Sequence, residues 1–194
     1  MNPVIGVLAL QGAFAAHVEV LGSLGTRTSE VRTVRDLERV DGLVLPGGES
    51  STMWMLLEST GLAGAVAERI AGGMPVFGTC AGMILLAARI MDGRPDQSSF
   101  AAIDIDVRRN AYGRQVDSFE TDLHTGVGDV RGVFIRAPRI ERVGEGVEVL
   151  ASIGDEPVLV RSGGALAAAF HPELSGDGAL HRYFVSTVRE PGRV

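Results

Sequence analysis

Pro75-Val76-Phe77-Gly78-Thr79-Cys80-Ala81-Gly82 passes from an apolar strand pattern to a helical one within eight residues. Pro75-Val76-Phe77-Gly78 reads as a buried strand, and residues 81–91, rich in Ala, Leu, Ile and Met, read as a helix. The same alternation precedes it. Val4-Ile5-Gly6-Val7-Leu8-Ala9-Leu10 is a strand pattern followed by a helix over 13–24, and residues 28–34 form a second strand. Gly42-Leu43-Val44-Leu45 is a third, ending at the breaker Pro46-Gly47-Gly48, with helices over 51–58 and 62–70. Continuous apolar strands separated by helices indicate a parallel sheet covered on both faces. Right-handed crossovers then give a three-layer, doubly wound α/β fold.

Beyond a polar loop at 93–99 the pattern shortens and alternates. Ile103-Asp104-Ile105-Asp106-Val107, Val133-Phe134-Ile135 and Val147-Glu148-Val149-Leu150 suggest an antiparallel extension. Pro157-Val158-Leu159-Val160 and Ala165-Leu166-Ala167-Ala168-Ala169 fit a hairpin around Ser162-Gly163-Gly164, and a last helix covers 177–188. No repeat or linker interrupts the chain, so one domain over residues 1–194 is expected.

Composition removes several function classes. The net charge is −6 and no Lys/Arg run is present, which argues against nucleic acid as a partner. The N-terminus lacks a basic leader, and its apolar run stops at Gln11-Gly12, short of the roughly 20 residues that span a bilayer. A cytoplasmic protein without membrane contact is therefore expected. A single cysteine forms no internal disulfide, and with four scattered histidines it makes a poor metal set.

Three segments carry chemistry. Gly78-Thr79-Cys80-Ala81-Gly82 has the Gly-x-nucleophile-x-Gly spacing of a strand-to-helix elbow, where a helix N-terminus favours negative charge on sulfur. Taken alone, reactive sulfur and buried packing are evenly balanced there. His171-Pro172-Glu173 follows an apolar run and offers a base plus a carboxylate to orient it, although a polar strand-ending turn has the same composition. Pro46-Gly47-Gly48-Glu49-Ser50-Ser51 lies between strand and helix, where glycine lets a peptide N–H face an oxyanion. A plain glycine turn with Ser50 or Ser51 capping the helix is compatible with that role. Together the three supply nucleophile, base, orienting acid and oxyanion donor.

With these segments the sequence resembles class I (triad) glutamine amidotransferases, and among them the glutaminase subunits of two-component pyridoxal 5'-phosphate synthases. Gly78-Thr79-Cys80-Ala81-Gly82 and His171-Pro172-Glu173 mark the superfamily. Leu10-Gln11-Gly12, Arg109-Asn110-Ala111-Tyr112-Gly113-Arg114-Gln115-Val116-Asp117-Ser118-Phe119-Glu120 and Phe134-Ile135-Arg136-Ala137-Pro138 mark the subfamily. The resemblance implies a flavodoxin-like sheet, Cys80 as nucleophile and His171 and Glu173 as the rest of the triad. It implies a glutamine site at Gly48, Glu49, Ser50, Arg109, Ile135 and Arg136, with oxyanion N–H groups at Gly48 and Ala81. It places Gln11 near the oxyanion loop, towards a (β/α)₈-barrel synthase subunit that would receive the ammonia. No metal or organic cofactor is implied. Ala16, Ala101, Tyr112 and Ser175 depart from residues common in that family. The rival readings are a glutaminase for another acceptor, such as imidazole glycerol phosphate synthesis, a standalone cysteine hydrolase of the same fold, and a binding module with Cys80 as packing.

Overall fold

The computed structural model describes residues 2–109 and 118–189. The first half alternates β1 (Val4–Leu8), α1 (Phe14–Ser23), β2 (Arg27–Val31), α2 (Val34–Leu37), β3 (Gly42–Leu45), α3 (Ser50–Ser59), α4 (Leu62–Ala71), β4 (Val76–Thr79) and α5 (Ala81–Leu86). Strands dominate the second half: β5 (Ala87–Ile90), β6 (Ile103–Arg108), β7 (Phe119–Thr125), β8 (Gly128–Phe134), β9 (Arg139–Val143), β10 (Glu148–Ile153), β11 (Glu156–Ser162) and β12 (Ala165–Ala168). A 3-10 turn at Pro172–Leu174 and α6 (Ala179–Arg189) follow.

Seven strands form the main sheet in the order β10-β11-β12-β4-β3-β1-β2. The five from β12 to β2 run parallel, and β10 and β11 extend that sheet antiparallel. Every residue of β3, β4 and β12 is buried, which is why these strands read as unbroken apolar runs and not as alternation. α1 packs with α6, whereas α3 packs with α4 and α5, and α2 with α4, so helices cover both faces. Phe77 at the centre of β4 is fully buried against the rings of Phe184 and His181. The register pairs Leu45 with Gly78 and Thr79 with Ala168. The chain leaving β3, β4 and β12 therefore emerges side by side at one sheet edge, where open α/β sheets bind ligands.

The doubly wound sheet with its antiparallel extension is as expected, but several elements differ. The helix read over 81–91 stops at Leu86, and Ala87–Ile90 is a strand that pairs parallel with β6. Ala87 already has an extended backbone, and the Phe100 N–H donates to Leu85 O at 2.7 Å. Pairing with a later segment overrides the helix preference of Ala-Ala-Arg. The strand read over 28–34 ends at Val31, because Thr33 caps α2 through a reciprocal bond with Asp36. The fragment 133–135 marks only the end of β8, and the sequence pattern shows neither its hairpin partner β7 nor β9. Among the described residues no helix is long and apolar enough to cross a membrane.

Candidate active site

Cys80 has φ 50° and ψ −104°, a conformation that costs a non-glycine residue about 1–3 kcal/mol. Its N–H is held by Ala168 O at 2.8 Å. The turn closes this tightly because Gly78 and Gly82 lack side chains: a Cβ on Gly82 would overlap Leu45 O, and one on Gly78 would meet Gly82. The strained elbow presents the sulfur at the edge where β3 and β12 also end. α5 has six residues, and the sulfur at its start is hydrogen-bonded with the His171 imidazole.

His171 leaves β12 with its N–H on Val133 O at 2.8 Å, and its Nδ1 lies 2.7 Å from Glu173 Oε1. Glu173 is 5% exposed in the 3-10 turn. With Nδ1 committed to the carboxylate, Nε2 is the nitrogen left to serve Cys80. Burial opposes charge on His171, but hydrogen bonds to Cys80 and Glu173 and their negative charges outweigh it, pushing its pKa up to about 10. Burial likewise raises the Glu173 carboxyl, and the His171 hydrogen bond with the nearby His17 and His171 charges brings it below its ordinary value. Gly47 is needed at close quarters: a Cβ there would overlap His171 Cε1 and lie 2.9 Å from Nδ1.

The loop after β3 is pinned from one side. Gly47 O accepts from Ala13 N at 3.0 Å, and Gln11 Oε1 accepts from Glu49 N at 3.0 Å. Glu49, not Ser50 or Ser51, caps α3: its carboxylate accepts from Thr52 N at 2.7 Å and from the Ser51 and Thr52 hydroxyls at 2.8 Å. Partial burial opposes ionisation of Glu49, yet these bonds lower its pKa to about 2. Arg109 closes the opposite side, donating to Gln97 Oε1 at 2.6 Å and Glu49 Oε1 at 3.2 Å. Gln97 in turn donates to Ser50 Oγ at 3.0 Å. Reading 93–99 as a surface loop missed this contribution of Gln97, and no local pattern announces it.

These groups enclose a cleft of about 330 Å³, at the lower end of the range for small-molecule sites. Gln11, Gly48, Glu49, Ser50, Cys80, Arg109, Ile135, Arg136 and His171 all line it. Glu173 lies behind His171, and Ala81 is the buried residue after Cys80. Arg136 itself has φ 46°, which turns the chain at the cleft wall. The motif residues 110–117, including Tyr112, lie outside the described residues. A larger cleft of about 730 Å³ between Val34, Met74, Pro75 and Val188 lies at the N-terminal ends of the strands and contains none of these groups. Two further residues reach Glu173 from behind. His17 Nε2 is 3.4 Å from Glu173 Oε2, and His17 Nδ1 is 2.9 Å from His181 Nε2.

Residues 7–190 match the family model of the SNO glutamine amidotransferases. The chain belongs to the SNO glutamine amidotransferase family. Among its relatives, pyridoxal 5'-phosphate synthase subunit PdxT of Mycobacteroides abscessus is 56% identical, with 97% of this chain and 99% of the relative aligned. The protein of the same name from Kineococcus radiotolerans is 54% identical over 97% of this chain and 96% of its own length. A crystal structure of a glutamine amidotransferase matches with TM-score 0.90 at 51% identity, covering 95% of this chain and 98% of that one. The structure of PurLQS from Thermotoga maritima matches with TM-score 0.73 at 14% identity, covering 97% of this chain and 100% of that one, a likeness of fold alone.

Proposed function

We propose that this member of the SNO family is the glutaminase subunit of a pyridoxal 5'-phosphate synthase, a single cytoplasmic domain that hydrolyses L-glutamine and hands ammonia to a barrel-shaped synthase subunit. The near full-length likeness to subunits of that name carries the reading. The cleft supports it with a cysteine, a histidine and a buried carboxylate in working order.

The glutamine side chain lies along the cleft with its carboxamide at Cys80. Arg109, held by Gln97 and Glu49, and Arg136 present guanidinium groups to the α-carboxylate, which a planar fork grips through two hydrogen bonds. Glu49 and Ser50 serve the α-amino end, and Ile135 shapes the wall. The sulfur attacks the carboxamide carbon, and N–H groups of Gly48 and Ala81 receive the developing oxyanion. The C–N bond breaks as His171 Nε2 gives its proton to the leaving nitrogen, releasing ammonia and leaving a γ-glutamyl thioester. His171, now neutral, takes a proton from water; the hydroxide oxygen bonds to the acyl carbon, and the C–S bond breaks to give glutamate. Glu173 holds the ring in the required tautomer through both steps. Gln11 ties the oxyanion loop to the segment after β1, where docking of the synthase subunit acts.

Glutamate release by the purified chain, with and without the synthase subunit, tests this. The expected result is a large subunit-dependent rise that Cys80→Ala abolishes while the protein stays folded. Retained activity in Cys80→Ala refutes the chemistry, and a rate indifferent to the subunit refutes the acceptor.

A further inference from the structure

Two of the chain's four histidines, His171 and His17, face Glu173, His181 stands behind His17, and the hydrolysis above uses only His171. His17 on α1, His181 on α6 and Thr79 at the end of β4 have no exposed surface. His17 Nε2 faces Glu173 Oε2 at 3.4 Å and Thr79 Oγ1 at 3.2 Å, and its Nδ1 faces His181 Nε2 at 2.9 Å. Among the described residues His181 Nδ1 has no partner, and the His181 ring stands edge-on to Phe77 with centroids 5.8 Å apart.

The carboxylate end fixes the order of protons along this row. An ionised carboxylate only accepts, so His17 carries its proton on Nε2. A neutral His17 then accepts at Nδ1, which puts the His181 proton on Nε2 and leaves His181 Nδ1 a bare lone pair. That atom is without a partner among the described residues, as is Glu173 Oε2 at the other end of the row. The reverse order would turn a lone pair towards Glu173 and bury an orphaned N–H on His181, the rarer and costlier defect. Burial lowers the pKa of both rings, of His17 to about 4 and of His181 to about 3, so both stay neutral near pH 7. For His17 the Glu173 charge opposes burial and the His171 charge adds to it; for His181 the neighbouring His17 disfavours a second proton and Glu173 opposes burial.

Resting on the triad reading above, we propose that His17, its tautomer set by His181, is a positioning residue that keeps Glu173 ionised and aimed at His171. Glu173 Oε1 is committed to His171 at 2.7 Å, whereas Oε2 has no hydrogen-bond partner among the described residues and faces His17 Nε2 at 3.4 Å. At 3.4 Å the His17 N–H acts on Oε2 as a nearby dipole, while its hydrogen-bond partner is the Thr79 hydroxyl at 3.2 Å. Without that N–H, a carboxylate oxygen would face a dry interior, which disfavours its charge and loosens its hold on the imidazolium.

Nitrogen NMR of the ¹⁵N-histidine-labelled full chain reads the tautomers directly. Both His17 and His181 should be neutral with the proton on Nε2 between pH 6 and 8; a protonated Nδ1 on His17 at pH 7 overturns the proposal. The second arm measures glutaminase kinetics in the complex with the synthase subunit. His17→Leu should lower kcat roughly 10- to 100-fold, the scale for losing an outer partner of a functional imidazole, with KM within about twofold. Its pH window should narrow from both sides, the acid limb rising and the basic limb falling, because the imidazolium is held less firmly. His17→Gln, whose amide N–H reaches the position of Nε2–H, should restore most of kcat and the wild-type limbs. A folded His17→Leu enzyme with unshifted limbs overturns the proposal, as does a His17→Gln enzyme no better than His17→Leu. A wild type that releases no glutamate with the subunit would instead overturn the triad reading, and the NMR arm would still decide the proton order.

Discussion

Lowering the pH from 7.5 to 5 should destabilise the fold by about 2 kcal/mol through His181 alone. The folded ring is fully buried and its pKa is depressed by that burial to about 3, whereas the unfolded chain takes up the proton near 6.5. Between those values the unfolded state binds a proton that the fold excludes, so stability falls as pH falls below 6.5, and the loss stops growing near 3. At pH 5 the unfolded ring is 1.5 pH units below its midpoint and the folded ring is still neutral. At about 1.36 kcal/mol per unit that gap is worth about 2 kcal/mol. His17, lowered to about 4 by burial, adds about the same again, and the pair together threatens a domain whose whole margin is roughly 5–15 kcal/mol. The assay is urea unfolding at pH 7.5, 6 and 5, followed by fluorescence of Trp54, which is 8% exposed, and by circular dichroism. His181→Gln keeps a donor for His17 Nδ1 and does not titrate. It should lose about 2 kcal/mol less than the wild type over this range, because the other ionisable groups contribute to both proteins alike. Parallel stability–pH curves for the two proteins would refute the reasoning.

Glu173→Gln should lower kcat by about 10²- to 10⁴-fold in steady-state glutamine hydrolysis, because an amide in place of the carboxylate at His171 Nδ1 no longer stabilises the imidazolium; a loss under tenfold would refute its role. Gly47→Ala should leave the melting temperature nearly unchanged while abolishing most activity, since its Cβ displaces the His171 ring and not a core side chain. Ala101 has φ 50°, a backbone better suited to glycine, so Ala101→Gly should gain about 0.5–1 kcal/mol in urea titrations without altering kcat.

The first half of the fold was legible because its strands are buried on both faces and its helices are bounded by local signals. Gly42–Leu45 and Leu62–Ala71 have their own breakers, Pro46-Gly47-Gly48 and Gly72-Gly73, and need no distant partner to be recognised. The helix over 81–91 failed at Ala87 for the opposite reason. Within Ala87-Ala88-Arg89-Ile90 only Ile90 leans towards a strand; pairing with Ile103–Arg108 makes it one. β7 does alternate, with Phe119 and Leu123 turned inward, but Thr121 between two charged residues blunts the contrast that marks a strand.

The site divides in the same way, and the topology explains where the line falls. In a doubly wound sheet the C-terminal ends of neighbouring strands must meet, so Cys80, the 46–51 loop and His171-Pro172-Glu173 could be joined by noting that each follows a strand. Arg109 follows β6, and Ile135 and Arg136 follow β8, strands of two smaller sheets whose placement against the main sheet no local pattern dictates; they came from resemblance, and Gln97 was not foreseen at all. His17 and His181 are different, because a usable signal was present. His17 shares the inward face of α1 with Leu21, and His181 sits beside Leu180, Phe184 and Val185 on the inward face of α6. A histidine on the apolar stripe of a helix brings two ring nitrogens into a core that must satisfy or orphan each of them. Two such helices on one face of a sheet, with a conspicuous carboxylate emerging at its edge, leave few partners to choose from. The two rings meet each other, and the row they form with Glu173 leaves His181 Nδ1 and Glu173 Oε2 without a partner among the described residues.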